Sequence, residues 1–304
     1  MTDFAAERRV GTLAGAAAYG IWGLFPILFH ALRSVAATEI LVHRIVWSCV
    51  VVLIILAFRG DWHWYDAVRQ HPRGLSQLAL AGVLIAINWW VYIWAVNHDR
   101  VLEAALGYYI NPLITVAIGV IVLREQLRRP QYVALALGLA AVAVLTLAYG
   151  EVPWIALMLA TSFAAYGFLN KAVSVDATSA LAVQTGVLLP FALVAGTVLI
   201  VRGDAAAGGG NLRQDALLLA LGVVTAVPLL LFGTAARRIP LSELGLLQYI
   251  TPTMQLVCGI VIFREDLPAE RLAGFILIWL ALFLLGVDAI RASRTPVTVP
   301  TVRL

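Results

Sequence analysis

A lone arginine, Arg44, stands inside an apolar run, with His43 beside it and Glu39 five positions earlier. A guanidinium held among hydrocarbon side chains attracts an anionic or carboxylate-bearing group, or pairs with a carboxylate such as Glu39 or Glu103. An imidazole exchanges protons near neutral pH; a hydrogen-bonded core histidine is an equal reading of His43. Glu39 reads equally well as a helix-start acid favoured by the helix dipole. Further along, Asn88 and Tyr92 lie four apart beside Trp89, and Glu103, Gly107 and Asn111 recur at spacing four, so each set shares a helix face. A charge at the centre of a membrane helix costs about 2.5–3.5 kcal/mol, so such residues face a bundle interior or an aqueous cavity.

The elements that carry them are set by composition. Of 304 residues, 62% are hydrophobic and 12% charged, where soluble domains carry about 25% charged residues. With 21 basic and 17 acidic side chains, the chain cannot cover a soluble globule of this size. Composition therefore excludes a soluble enzyme, a disordered chain and a nucleic-acid binder. The two cysteines, Cys49 and Cys258, are too far apart in sequence to suggest a disulfide framework or a zinc site.

A helix needs about 20 apolar residues to cross the hydrocarbon layer. Ten such spans are expected, over 10–30, 38–58, 75–96, 101–123, 131–149, 154–171, 178–201, 214–236, 241–263 and 271–290. Runs this long and this continuously apolar are helices rather than barrel strands. The fold expected is an all-α integral membrane protein with ten transmembrane helices. The first span is read as a retained helix, since it runs through Tyr19, Trp22 and Phe25 into a second span. With ten spans, fourteen of the 21 basic residues fall on the face of the N-terminus, six on the other face, and Arg44 inside. That bias places both termini in the cytoplasm. The tail 291–304 is expected to be a disordered cytoplasmic segment.

A repeat appears at an offset of 140. Of the 27 pairs from 101/241 to 127/267, nine are identical, among them Glu103/Glu243, Tyr109/Tyr249, Ile110/Ile250, Pro112/Pro252 and Arg124-Glu125/Arg264-Glu265. It pairs span four with span nine, so each half holds five spans and the second enters the membrane inverted. The halves are residues 1–149 and 150–290. Inverted repeats are a recurrent transporter architecture, with the site between halves near the midplane. Pro112, beside Tyr109 and Asn111, and Pro252, beside Tyr249, Thr251 and Gln255, are expected to interrupt the paired helices at the substrate pathway. Inversion puts Glu103 near the outer face and Glu243 near the inner, where alternating gates would sit. The two Arg-Glu pairs read as structural helix ends.

The stretch Glu39-Ile-Leu-Val-His-Arg44, with Asn88-Trp89, Tyr92-Ile-Trp94-Ala-Val-Asn97 and Gly107-Tyr-Tyr-Ile-Asn-Pro112, resembles the RarD subfamily of EamA-domain proteins in the drug/metabolite transporter superfamily. The resemblance covers residues 10 to 290. It implies two inverted five-helix EamA repeats and secondary transport of small metabolites or drugs across the bacterial inner membrane; members are commonly labelled chloramphenicol-sensitivity or -resistance permeases. Proton coupling is compatible with His43. The partners expected are a small-molecule substrate, carboxylate-bearing if Arg44 binds it, and the lipid bilayer, with no nucleic acid; homodimerisation stays open. No cofactor, metal or catalytic residue is expected: there is no Walker A loop, no HExxH and no paired-Asp motif. An integral membrane enzyme or a non-transporting scaffold is the alternative.

Overall fold

A computed structural model of the chain describes residues 2–60, 72–124, 129–171, 173, 175–239 and 247–294. Eleven helices are described: α1 (Thr2–Gly23), α2 (Phe25–Ala31), α3 (Ala37–Arg59), α4 (Pro72–Asn97), α5 (Val101–Leu123), α6 (Arg129–Tyr149), α7 (Trp154–Lys171), α8 (Ala177–Arg202), α9 (Leu212–Arg238), α10 (Ile250–Val257) and α11 (Ala269–Arg294). A π-helical turn, Cys258–Ile262, extends α10. Among the described residues, eight segments are long and apolar enough to cross a membrane, the first being α1 and α2 taken together, and Trp154–Asn170 and Ile250–Ile262 are two shorter apolar helices. The protein is thus an all-α, multi-pass membrane protein of ten spans.

Span one is not the continuous helix its hydropathy suggests. It breaks at Leu24, and Pro26 opens α2 within the first turn, where its missing N–H leaves nothing unsatisfied. Span nine is interrupted as well: Leu247 is helical, Gln248 and Tyr249 form a turn, and Pro252 sits in the first turn of α10 just beyond that break. Pro112 does lie inside a continuous helix, α5. The start of span nine with Glu243, Glu125 at the end of span four, and residues 295–304 lie outside the described residues, while residues 291–294, expected in the disordered tail, instead continue α11 to Arg294.

The pattern of neighbours survives an exchange of the two sets of five spans. α3 packs on α8, α5 on α10 and α6 on α11, each a pair of equivalents. α1 packs on α9 as α7 packs on α4, and α1 meets α10 as α7 meets α5. α3 meets α9 as α8 meets α4. Contacts between consecutive spans of one half are thinner than these contacts between halves. The first helix of each half is therefore built into the other half.

Helix ends repeat too. Arg124 and Arg264, equivalent in the repeat, both take left-handed backbone (φ 55° and 56°). α3 and α8 each end in Arg-Gly, and Gly60 and Gly203 adopt φ of 63° and 75° to cap the last turn, a conformation that costs glycine nothing. The sequence reads Arg-Gly-Asp at both places, 59–61 and 202–204, a match three residues out of the 140 register.

Candidate functional site

Arg44 projects from α3 into the bundle and is 4% exposed. Seven residues into the helix, it lies about 10 Å from that helix's start. Its guanidinium carbon sits 4.0 Å from the centre of the Trp89 ring, 5.3 Å from Phe25 and 5.7 Å from Phe29. α2 supplies both phenylalanines and α4 the tryptophan. Tyr92 continues the aromatic wall, 5.9 Å from Phe29, and Tyr108 follows at 5.7 Å from Tyr92. Each ring face contributes about 0.5–2 kcal/mol of cation–π attraction. That replaces only part of the hydration lost on burying a charge. Nε of Arg44 finds no hydrogen-bond acceptor among the described residues, and the Ser48 and Tyr92 hydroxyls are likewise buried without a partner. Ser48 stands four residues after Arg44, on the same face of α3.

Asn88 is fully engaged. Its amide donates to the Leu159 carbonyl (2.9 Å) and to Ser162 Oγ (3.0 Å), and its oxygen accepts from Tyr108 (3.2 Å). It pins α4, α5 and α7 together beside the aromatic wall. His43, half-buried, accepts from Trp47 Nε1 at 3.1 Å.

The two glutamates expected near Arg44 are occupied elsewhere. The Glu39 carboxylate accepts from the backbone amides of Ala206 (2.9 Å) and Ala207 (2.8 Å), in the loop after α8. Glu103 pairs with Arg100 at 2.8 Å, and Arg100 also holds Glu151 at 2.9 Å. Glu265, read from sequence as a helix end, does more. Its two carboxylate oxygens accept from the amides of Val101 (2.6 Å) and Leu102 (2.9 Å), the first residues of α5. Those amides have no partner within their own helix. Glu39 and Glu265 are thus reciprocal locks, the first reaching from first half to second and the second from second half to first. Both close the face opposite the N-terminus, the far face. The outward side of the Glu265 lock is a cleft of about 870 Å³ lined by Asp99, Phe263, Arg264, Asp266 and Arg271. Burial pushes the Glu265 carboxyl up to about 7, with the charges of Asp99 and Glu103 adding to it and the two amide bonds opposing. The signal that could have singled out Glu265 was its recurrence in the repeat.

The remaining candidates gather at α10. Thr251 donates to the Tyr19 carbonyl (2.8 Å) and Gln255 to that of Trp22 (3.3 Å), so the polar stripe of α10 follows the broken end of α1. Gly23 lies so close that a Cβ there would stand 2.7 Å from Met254. The Gln255 oxygen is buried without a donor among the described residues. Tyr109 shares a hydrogen bond with Thr253 (2.8 Å) across the α5–α10 contact. Asn111, one residue before Pro112, accepts from Thr115 at 3.0 Å. Tyr249 and Pro252 sit at the head of α10 and do not reach the aromatic wall. The candidates form three clusters: the Arg44 aromatic centre with Asn88, Trp89 and Tyr92; the far-face acids; and the α5–α10–α1 seam. Among the described residues, no three His, Cys, Asp or Glu side chains gather to hold a metal ion.

The EamA-like transporter family matches residues 9–147 and 152–287. The chain is 48% identical to Protein RarD of Streptomyces exfoliatus, over 95% of this chain and 91% of that one. It is 40% identical to the uncharacterized transporter YojE of Bacillus subtilis (95% and 97%) and 29% identical to the chloramphenicol-sensitive protein RarD of Pseudomonas aeruginosa (93% and 96%). A solved crystal structure, 19% identical, aligns with a TM-score of 0.60 over 93% of this chain and 98% of that one, which is a likeness of fold.

Proposed function

The chain belongs to the EamA-like transporter family and, within it, to the RarD proteins; from that premise we propose that it is a secondary active transporter of small metabolites or drugs, working by alternating access. The observation that carries the reading is the pair of reciprocal locks. Each is a carboxylate on backbone amides, joining one half to the other at a single face. Such a closure opens without breaking a packed core, because water satisfies both partners once they part. Behind it lie a buried cation and unpartnered hydroxyls. Proteoliposomes carrying the purified protein, given a panel of metabolites and chloramphenicol with and without a proton gradient, test the proposal. Gradient-dependent flux of a panel member supports it; leak equal to that of empty liposomes throughout counts against it.

The locks would face the cell exterior, with both termini in the cytoplasm of a bacterial inner membrane. Reporter fusions after Arg59 and Arg291 are expected to read cytoplasmic, and fusions at Gly150 and Gly209 external. A cytoplasmic signal at Gly209 would reverse the assignment.

The two prolines separate by position. Pro112 has no N–H to offer the Tyr108 carbonyl four residues back. Pro112→Ala restores that bond and is expected to slow transport several-fold at equal membrane levels. Pro252→Ala, in the first turn of α10, has no intrahelical bond to restore and is expected to transport at near wild-type rate. Equal rates for both variants would show that the internal proline has no part in the motion.

A further inference from the structure

We propose that the Arg44 centre is a binding site for a small monocarboxylate with a flat apolar body. The use of the site in transport rests on the reading above; binding does not. Arg44 is the one cation inside the apolar stretch of span two. Among the described residues, no carboxylate comes within ion-pair distance of it, since Glu39 and Glu103 are held at the far face. A buried charge left in that condition is strongly unfavourable, so the site gains most from a ligand that brings one negative charge. A single charge matches a single guanidinium. A dianion such as a phosphate monoester would leave a surplus charge among Phe25, Phe29 and Trp89.

The shape of the partner follows from the geometry. A planar carboxylate accepts two parallel hydrogen bonds from a guanidinium edge, which a rounder anion does not match as well. The Tyr92 and Ser48 hydroxyls, buried with no partner among the described residues, are further donors, Ser48 one turn along α3 from Arg44 and Tyr92 packed against Phe29. The rest of the ligand meets rings. The guanidinium carbon already lies over the Trp89 ring at 4.0 Å, with Phe25, Phe29 and Tyr92 continuing the wall. Burying a flat hydrocarbon there removes its apolar surface from water and favours binding.

The test uses the full chain in nanodiscs, read by thermal stability and tryptophan fluorescence. The probes are benzoate and phenylacetate, their neutral amides, and benzylamine. The acids are expected to bind and to stabilise wild-type protein, and the amides and the amine to bind about tenfold or more weakly, since a hydrogen-bonded charge is lost. Arg44→Gln is expected to erase the preference of acid over amide, and Arg44→Lys to keep a reduced one. Tyr92→Phe removes a single hydroxyl and is expected to weaken the acids more than the amides. Equal binding of acid and amide by wild-type protein overturns the proposal without recourse to any variant. So does acid preference retained in Arg44→Gln. Acid binding without flux in liposomes would leave the site standing and remove the transport reading; flux of neutral compounds with no acid preference would do the reverse.

Discussion

Between pH 5 and pH 8 the far-face lock of the wild-type protein is expected to weaken, and Glu265→Gln is expected to lose that pH dependence. Water returns the Glu265 carboxyl to its ordinary value near 4.5, whereas burial in the lock lifts it to about 7. Between those values the locked form carries a proton that the open form lacks. The lock's stability is therefore fully present below about 4.5 and is lost as pH rises through about 7, by at most about tenfold per pH unit. Once ionised, the carboxylate keeps its two amide donors, but it sits partly desolvated and next to Asp99 and Glu103. Arg100 is already shared between Glu103 and Glu151 and offsets little of that repulsion. Glutamine carries no charge, so its lock should ignore pH, but its amide nitrogen cannot accept from the second backbone N–H and the lock is weaker by one hydrogen bond. Spin labels at Val152→Cys, next to the Glu151 that Arg100 holds, and Asp266→Cys, next to Glu265, in protein lacking Cys49 and Cys258, would read the separation between the head of α7 and the lock. A distance distribution that is unchanged from pH 5 to pH 8 in wild-type protein sinks the idea.

Gly222→Ala is expected to destabilise the protein severely. A Cβ at Gly222 would stand 2.5 Å from the Trp47 carbonyl oxygen and 2.6 Å from its carbon. Both atoms belong to the backbone of α3, so no rotamer relieves the contact and α9 must move away from α3. Overpacking of this kind costs about 1–3 kcal/mol, and the displacement falls beside the helix that carries Arg44. Gly186→Ala, in α8 with nothing within 4 Å of its Cβ, is the matched control. It is expected to be neutral, or to gain up to about 1 kcal/mol of helix propensity. Thermal unfolding in detergent separates the two. Similar melting temperatures for both variants would mean that the α3–α9 contact yields more easily than its geometry indicates.

Hydropathy alone reveals the ten spans, because a membrane helix must be long and apolar whatever surrounds it. The repeat is legible at Glu103, Tyr109, Pro112 and Arg124-Glu125, since polar residues and prolines stand out against leucine. The depth of Arg44 is legible for the same reason. Its surroundings are not. Phe25 and Phe29 face it because span one breaks at Leu24 and redirects α2, and apolar periodicity carries no mark of that break. Tyr108 and Ser48 look like ordinary members of their helices until the helices are packed. Glu39 keeps two readings, and Glu265 reads as a plain helix end, for a different cause: an acid near a helix end has the same sequence signature whether it serves its own dipole or someone else's amides. Their partners lie more than 160 positions away. The second Arg-Gly-Asp was in plain view but out of register, hidden by an insertion of three residues.

The exchange of first helices between halves bears on how the protein is made. α1 leaves the ribosome first, yet its main partner α9 begins at Leu212, and α6 waits for α11, which begins at Ala269. At about 5–20 residues per second, a gap of this length lasts roughly ten seconds or more. Until those partners arrive, the spans of the first half already made sit in the bilayer with their future contact faces against lipid. Neither half can complete its fold as an independent unit during synthesis. Insertion and folding are thus separated in time, and the nascent first half is the stage at which a membrane chaperone or a quality-control protease would meet this chain. Two half-length chains produced together should assemble, whereas either one alone should be degraded.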